Sequence, residues 1–458
     1  MFGQTLSIAR NTFVEAIRQP IYFVLILAGS LLQVFNVLLS AYSMDYTEEG
    51  LQVQKDNKLL LDMGLATVLV VCTLLAAFIA TNVLSKEIEN KTALTVISKP
   101  IGRPVFIFGK FLGVSAAMAM AFVTLMAFFL LAMRHEVMST ARDNLNWSVL
   151  VTGGGALLVS VGAGIWGNFF YGWVFSATTT RLLAPLSIGA WGITLLIERN
   201  FTLRDFSSPD YIAEVVQPQV LLASGCVLLA MLVLTALAVC VSTRLGQVMT
   251  IVVCAGVFIG GLMSNYFLGR FAFVNEHFAT INAVTTEFED DTITQPGDTV
   301  TLTLEAIPTI DINIGQPIYY GPAPSGVALA VPPHQPITGD VTRPNDVVDA
   351  EQYGRSLAVR SYDAEEREMV LINAGGLNVA RMPREGDFLF ARPTEHSVPA
   401  LAAWSIVPNL QSYWLVDAIT QGHSIPARYI GLVVLYTVLQ ITGLLSLAVM
   451  LFQTRDVG

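Results

Sequence analysis

Residues 85–110 read SKEIENKTALTVISKPIGRPVFIFGK. Five cations and two carboxylates stand here between two long apolar runs. Those flanking runs set the class of fold. A hydrocarbon core about 30 Å thick needs roughly 20 apolar residues per crossing helix, and several windows of the chain meet that requirement. The 458 residues are 53% hydrophobic and only 13% charged, with a mean hydropathy of +0.60. Soluble domains carry about 25% charge. The expected fold is an α-helical polytopic membrane protein.

Length and hydropathy place transmembrane helices at 20–42, 61–84, 105–132, 149–175, 182–197, 219–241, 247–268 and 428–452. The fifth is short and holds Pro185, so it is tilted, re-entrant or merged with its neighbour. The expectation is about eight spans, with six as the fallback. Residues 1–19 precede them. Leu6, Ala9, Phe13, Ala16 and Ile17 recur at helical spacing, with Arg10, Asn11 and Arg18 elsewhere. This predicts an interfacial N-terminal helix rather than a signal peptide. With both termini inside, ten cations near span ends lie inside and eight outside. The five of the 85–110 stretch carry the vote. Residues 20–268 are then the first seven spans, with an inner segment at 85–104.

Residues 270–405 differ in kind. They hold nineteen acids against eight arginines and no lysine, so their excess charge accounts for the formal −10 of the chain. In 299-TVTLTLEA-306 one valine and two leucines alternate onto one face, the period of a half-buried strand. This predicts a β-rich, acidic, extracytoplasmic domain inserted before the last helix. Its acidic face is either plainly solvated or a docking face for cations or a basic partner. Residues 406–427 follow as an outer interfacial segment. Trp404, Tyr413 and Trp414 suit headgroup depth. Residues 428–458 form the last span and a cytoplasmic tail.

Chemical signatures are sparse. GRPVFIFGKF (102–111) ends in Gly-Lys, but a phosphate loop needs GxxxxGK[ST], and here six residues separate the glycines. HExxH and GxSxG do not occur. The five histidines have no ligand-like spacing, and no span has a carboxylate near its centre. Cys72, Cys226, Cys240 and Cys254 fall in apolar runs without a CxxC pair, which reads as buried small side chains. Asn36 is the main mid-span polar residue and reads as an interhelical hydrogen-bonding group. Gly256 and Gly260 form a GxxxG pair suited to tight helix packing. No catalytic residue, metal, cofactor or nucleic-acid partner is expected.

The charged stretch has two readings from its residues alone. It is a positive-inside anchor loop, or a short amphipathic helix (about 85–98) held at the inner surface by two spans and turned back by Pro100, Gly102 and Pro104. The string Glu87-Ile88-Glu89, Thr92, Ser98-Lys99-Pro100, Arg103 and Gly109-Lys110 resembles the segment between the second and third spans of the type-two ABC transporter permeases, including the branch linked to copper-enzyme maturation. IARNTFVEAIRQP (8–20) is similar to that family's N-terminal interfacial helix. STRLGQVMT (242–250), VPNLQSYWLVDAITQG (407–422) and the ending LFQTRDVG resemble further parts of it. The family pattern has six spans. The extra pair at about 149–198 and the large outer domain depart from it.

The resemblance implies a permease without its own motor, and hence no enzyme. A separate ABC ATP-binding subunit would dock beneath it, and two permeases would pair, as a homodimer or with a related permease. The coupling residues would be Glu87, Ile88, Glu89, Asn90, Thr92, Leu94, Ile97, Ser98, Pro100 and Arg103. The expected function is substrate export through the plasma membrane (the bacterial inner membrane). Two alternatives stay open: a mechanotransmission protein that moves its outer domain without cargo, and a membrane-anchored binding scaffold.

Overall fold

The computed structural model describes residues 2–40, 49–85, 102–137, 145–204, 216–286, 297–327, 329–334, 357–373, 382–420 and 425–453. The chain divides into two units, Met1–Leu262 with Leu410–Gly458, and Met263–Asn409.

The first unit is helical. Its elements are α1 (Phe2–Arg18), α2 (Pro20–Ser40), α3 (Glu49–Ala80), α4 (Arg103–His135), α5 (Trp147–Tyr171), α6 (Phe175–Leu196), α7 (Pro218–Ser242) and α8 (Gln247–Leu262). The chain returns to this unit with a 3-10 turn at Leu410–Tyr413, α10 (Val416–Thr420) and α11 (Ala427–Gln453); α9 (Val398–Ile406) belongs to the second unit. A π-helical turn, Thr81–Ser85, extends α3.

Among the described residues, six helices are long and apolar enough to cross a membrane: Pro20–Ser40, Lys58–Leu84, Arg103–His135, Trp147–Tyr171, Pro218–Ser242 and Ala427–Gln453. A seventh results if Gln247–Leu262 is taken together with Asn265–Ala272. The expected eighth is α6. It forms as one helix through Pro185, but Ser176, Thr178, Thr179, Thr180, Arg181 and Ser187 keep it below the apolarity of the others. It is also separate from α5. Gly172 caps α5 in the left-handed conformation (φ 67°), donating to Asn168 O, as C-terminal glycines do.

In lipid, helices gain little by hiding apolar surface from one another, so close packing and internal hydrogen bonds must hold them. The core of this unit follows that logic. Gln33 Nε2 donates to Gly64 O at 3.0 Å, and Asn36 Nδ2 donates to Thr67 Oγ1 at 3.0 Å. Asn36 thus does bond between helices, joining α2 to α3. At Gly64 a Cβ would come within 2.1 Å of the Phe129 ring of α4, so only glycine admits that fully buried ring. The four cysteines are all buried and free.

Helix α1 packs into this unit with Ala9, Thr12, Ala16 and Ile17 buried. Ala9, Ala16 and Ile17 belong to the expected apolar face; Thr12 also lies inside, and Leu6 is exposed. Tyr413, expected at headgroup depth, is buried against another helix. Its ring is buried, and its hydroxyl meets Thr437 Oγ1 of α11 at 2.9 Å.

The second unit is β-rich. Strands β2 (His277–Thr286), β3 (Thr299–Leu304), β4 (Pro317–Gly321), β5 (Leu357–Asp363), β6 (Glu368–Ile372) and β7 (Phe388–Phe390) close a barrel in the order β2-β3-β6-β5-β4-β7. All the pairs are antiparallel. Closure leaves no open edge. Strand β2 reaches both neighbours through register shifts at Ile281/Ala283 and His277/Ala279, the bends that turn a sheet into a barrel. The alternation in β3 is as its sequence implies, with Val300, Leu302 and Leu304 buried. Strands β1 (Phe273–Val274) and β8 (Glu395–His396) form a separate pair. Asn265 Oδ1 accepts from Trp404 Nε1 at 3.2 Å and from Asn409 Nδ2 at 2.9 Å, tying the start of this unit to its end.

Gly64→Ala is expected to cost about 1–3 kcal/mol through overpacking, seen as a lower unfolding midpoint in detergent. Gly154→Ala, where a Cβ meets nothing within 4 Å, should leave the midpoint unchanged.

Candidate functional site

Residue types set the geometry at the root of the 85–110 stretch. Helix α4 begins after Gly102, which is extended (φ −65°, ψ 138°), with Pro104 in the first turn, where its missing N–H costs nothing. Its 33 residues reach about 50 Å at 1.5 Å per residue. It therefore outruns the hydrocarbon core, and its first turns carry charge.

Lys110 lies on this part of α4 and is only 5% exposed. Its ammonium donates to Val83 O at 3.5 Å. That carbonyl belongs to the π-helical turn Thr81–Ser85 that extends α3. The same ammonium is 3.9 Å from Glu15 of α1 and 5.6 Å from the centre of the Phe106 ring. One cation thus touches α1 and the end of α3 from α4.

Glycines on α4 let α1 approach. A Cβ on Gly113 would lie 2.5 Å from Ala9 O, and one on Gly109 would lie 2.9 Å from Ile8. The end of α11 completes the junction. Arg103 Nη1 donates to Gln453 O at 2.6 Å, with its guanidinium 6.0 Å from the Phe452 ring centre. Phe106 stacks on Phe452 at 5.7 Å. Such a pair contributes about 0.5–1.5 kcal/mol beyond area burial.

Of the expected coupling residues, Glu87, Ile88, Glu89, Asn90, Thr92, Leu94, Ile97, Ser98 and Pro100 lie outside the described residues. Arg103 is described and serves the junction with α11. Gly256 and Gly260 stand on α8, where a Cβ on either would meet nothing within 4 Å. Among the described residues, the GxxxG spacing that mediates close packing within the chain is that of Gly109 and Gly113. That spacing was visible in the sequence and marks the α1–α4 seam. Nothing local in the sequence signals the contact of Arg103 with a carbonyl 350 positions away.

Residues 6–179 match the family model described as ABC-2 family transporter protein. The matched stretch runs from α1 into the start of α6 and contains the 85–110 string. It supports an ABC-2 type permease, a multi-pass membrane component of a class that in general pairs with an ATP-binding subunit. No curated protein and no solved structure matches the chain.

Lys110→Met should remove the charged bond to Val83 O and lower stability by about 1–3 kcal/mol. Denaturant or thermal unfolding of the purified protein in detergent reads the change. Lys110→Arg should recover part of it.

Proposed function

We propose that the chain is the membrane-spanning permease subunit of an ABC transporter, and that a separate ATPase drives substrate export through residues 86–101. The observation that carries this reading is the junction around Lys110. The segment leaves α3 and re-enters α4 at points joined by the Lys110–Val83 contact, and the same junction holds α1 and α11. A load applied to the segment would act on α1, α3, α4 and α11 together. Coupling requires differential contact in two states, and a rigidly rooted lever can supply it. Individual surface ion pairs give only about 0–1 kcal/mol, so Ile88, Leu94 and Ile97 are assigned most of the docking energy, with Glu87 and Glu89 setting register.

The reading places both termini and the segment on the inner side of a bacterial inner membrane, and the β unit outside. The path of α6 supports an eighth crossing. Its first turn lies beside the end of α1, where Ser176 Oγ donates to Arg18 O at 2.8 Å. Its last turn lies beside the far end of α4, where Arg134 Nη2 donates to Thr194 O at 3.5 Å. Its 22 residues cover about 33 Å, a full hydrocarbon thickness. With α6 and α8 counted, an odd number of spans precedes the β unit. The open α8 face at Gly256 and Gly260, with Val252 and Ile259 exposed, is assigned to a second permease copy.

Glu89→Arg, and separately Pro100→Ala with Arg103→Glu, should leave membrane insertion intact. Each should reduce co-purification of the ATPase roughly tenfold, equivalent to about 1.4 kcal/mol. Wild-type recovery of the ATPase with both variants, or labelling of Lys91 from the outside, would sink the proposal.

A further inference from the structure

The far end of the helical unit holds a polar cavity that the reading above does not use. It has a volume of about 370 Å³, and its lining includes Arg134, Glu136, Asn146, Glu198, Arg199 and Arg204. Arg134 comes from the last turn of α4, and Asn146 caps α5, accepting from Val149 N and donating to Arg134 O. The others come from the chain just past α4 and from a tight turn after α6. In that turn Glu198 N donates to Thr202 O at 2.9 Å, Arg204 N donates to Leu196 O at 3.0 Å, and Phe201 takes φ 63°. The turn folds Arg199 and Arg204 back over the end of α4. Glu136 is held at φ 63° and forms an ion pair with Arg199.

Among the described residues that line it, three guanidinium groups face two carboxylates. The Glu136–Arg199 pair is internally satisfied. Glu198 accepts from Thr202 Oγ1 at 3.2 Å. The Arg204 Nε is buried and meets no acceptor among the described residues. A buried guanidinium N–H without an acceptor is costly, and its planar fork matches the oxygens of a phosphate. The cavity also opens where the apolar length of α4 ends. From its rim, exposed apolar side chains continue along the helices: Trp147, Leu150 and Val151 on α5, Ile193 and Leu196 on α6, with Leu203 in the turn. Cations at the hydrocarbon boundary beside an exposed apolar face suit a molecule with a phosphate at one end and acyl chains at the other.

We propose that this cavity binds the phosphate of an anionic phospholipid headgroup, with Arg204 as its principal ligand and the acyl chains along α5 and α6. A free phosphate ion offers the same oxygens without the chains, so the two sources can be separated. The test uses the full-length protein in detergent micelles, with its unfolding midpoint followed against added phosphatidylglycerol, phosphatidylcholine or inorganic phosphate. Phosphatidylglycerol should raise the midpoint saturably, phosphatidylcholine less, and inorganic phosphate at equal concentration not at all. Arg204→Gln should weaken the phosphatidylglycerol effect at least tenfold, whereas Arg360→Gln, on an exposed position of β5, should not change it. Arg204→Lys keeps the charge but loses the fork, and should weaken it by an intermediate factor. Unaltered phosphatidylglycerol affinity in either Arg204 variant overturns the proposal, and so does stabilisation by inorganic phosphate alone. If Arg204→Gln does not fold, Arg204→Lys decides by the same criterion.

Discussion

The helical unit depends on how closely α4 can be approached. This helix is buried along most of its length, and its neighbours meet it at points where a larger residue could not stand. On α3, Gly64 admits the Phe129 ring; on α4 itself, Gly113 admits the backbone of α1. In a membrane the apolar surfaces are satisfied by lipid as well as by protein. Shape complementarity and a few hydrogen bonds must therefore select one arrangement. The Tyr22 hydroxyl of α2 donates to Ala117 O of α4 at 2.7 Å, and Lys110 reaches α1 and the end of α3. These contacts align α1, α2 and α3 on one axis.

That axis has two chemically different ends. At one, Lys110, Arg103, Phe106 and Phe452 bind the starts and ends of several helices into a stiff junction. At the other, Arg134 sits within a cavity shared with the ends of α5 and α6. Both ends place arginine or lysine against backbone carbonyls near the ends of the described helices. The difference lies in surplus. Lys110 and Arg103 have acceptors supplied by the chain, whereas the Nε of Arg204 finds none among the described residues. A stiff end suits transmission of force, and an end with unspent donor capacity suits a ligand.

The β unit solves a different problem with a different device. Its closed barrel buries Val300, Leu302 and Leu304, a burial that is a driving force wherever water is the solvent, and closure removes the edges that would otherwise pair with other chains. Its acids can stay solvated on the outside. The Arg392–Glu276 pair is one exposed ion pair of this surface.

The membrane class, the β character of the stretch after 270 and the resemblance to a permease family were all legible in the sequence, because each is written in local pattern. Apolar runs of about 20 residues report the solvent. Strict alternation in 299–304 reports a strand, and the 85–110 string lies within the stretch that matches a permease family model. What local pattern does not carry is the partner of each face. The periodicity of α1 announced an amphipathic helix, yet only its packing on α4 put Thr12 inside and Leu6 outside. The sequence marked 182–197 as a short apolar stretch around Pro185, and only the packing showed one helix from Phe175 to Leu196 whose ends lie beside the ends of α1 and α4. The aromatic character of Tyr413 suggested an interface, and its partner, Thr437 of α11, was not legible in the sequence. The arginine cavity gathers residues 134 to 204 from three helix ends, and the junction at Arg103 closes across 350 positions. Composition and period fix what each segment must hide; which neighbour hides it depends on distances between segments far apart in the chain, and those exist only once the helices are packed.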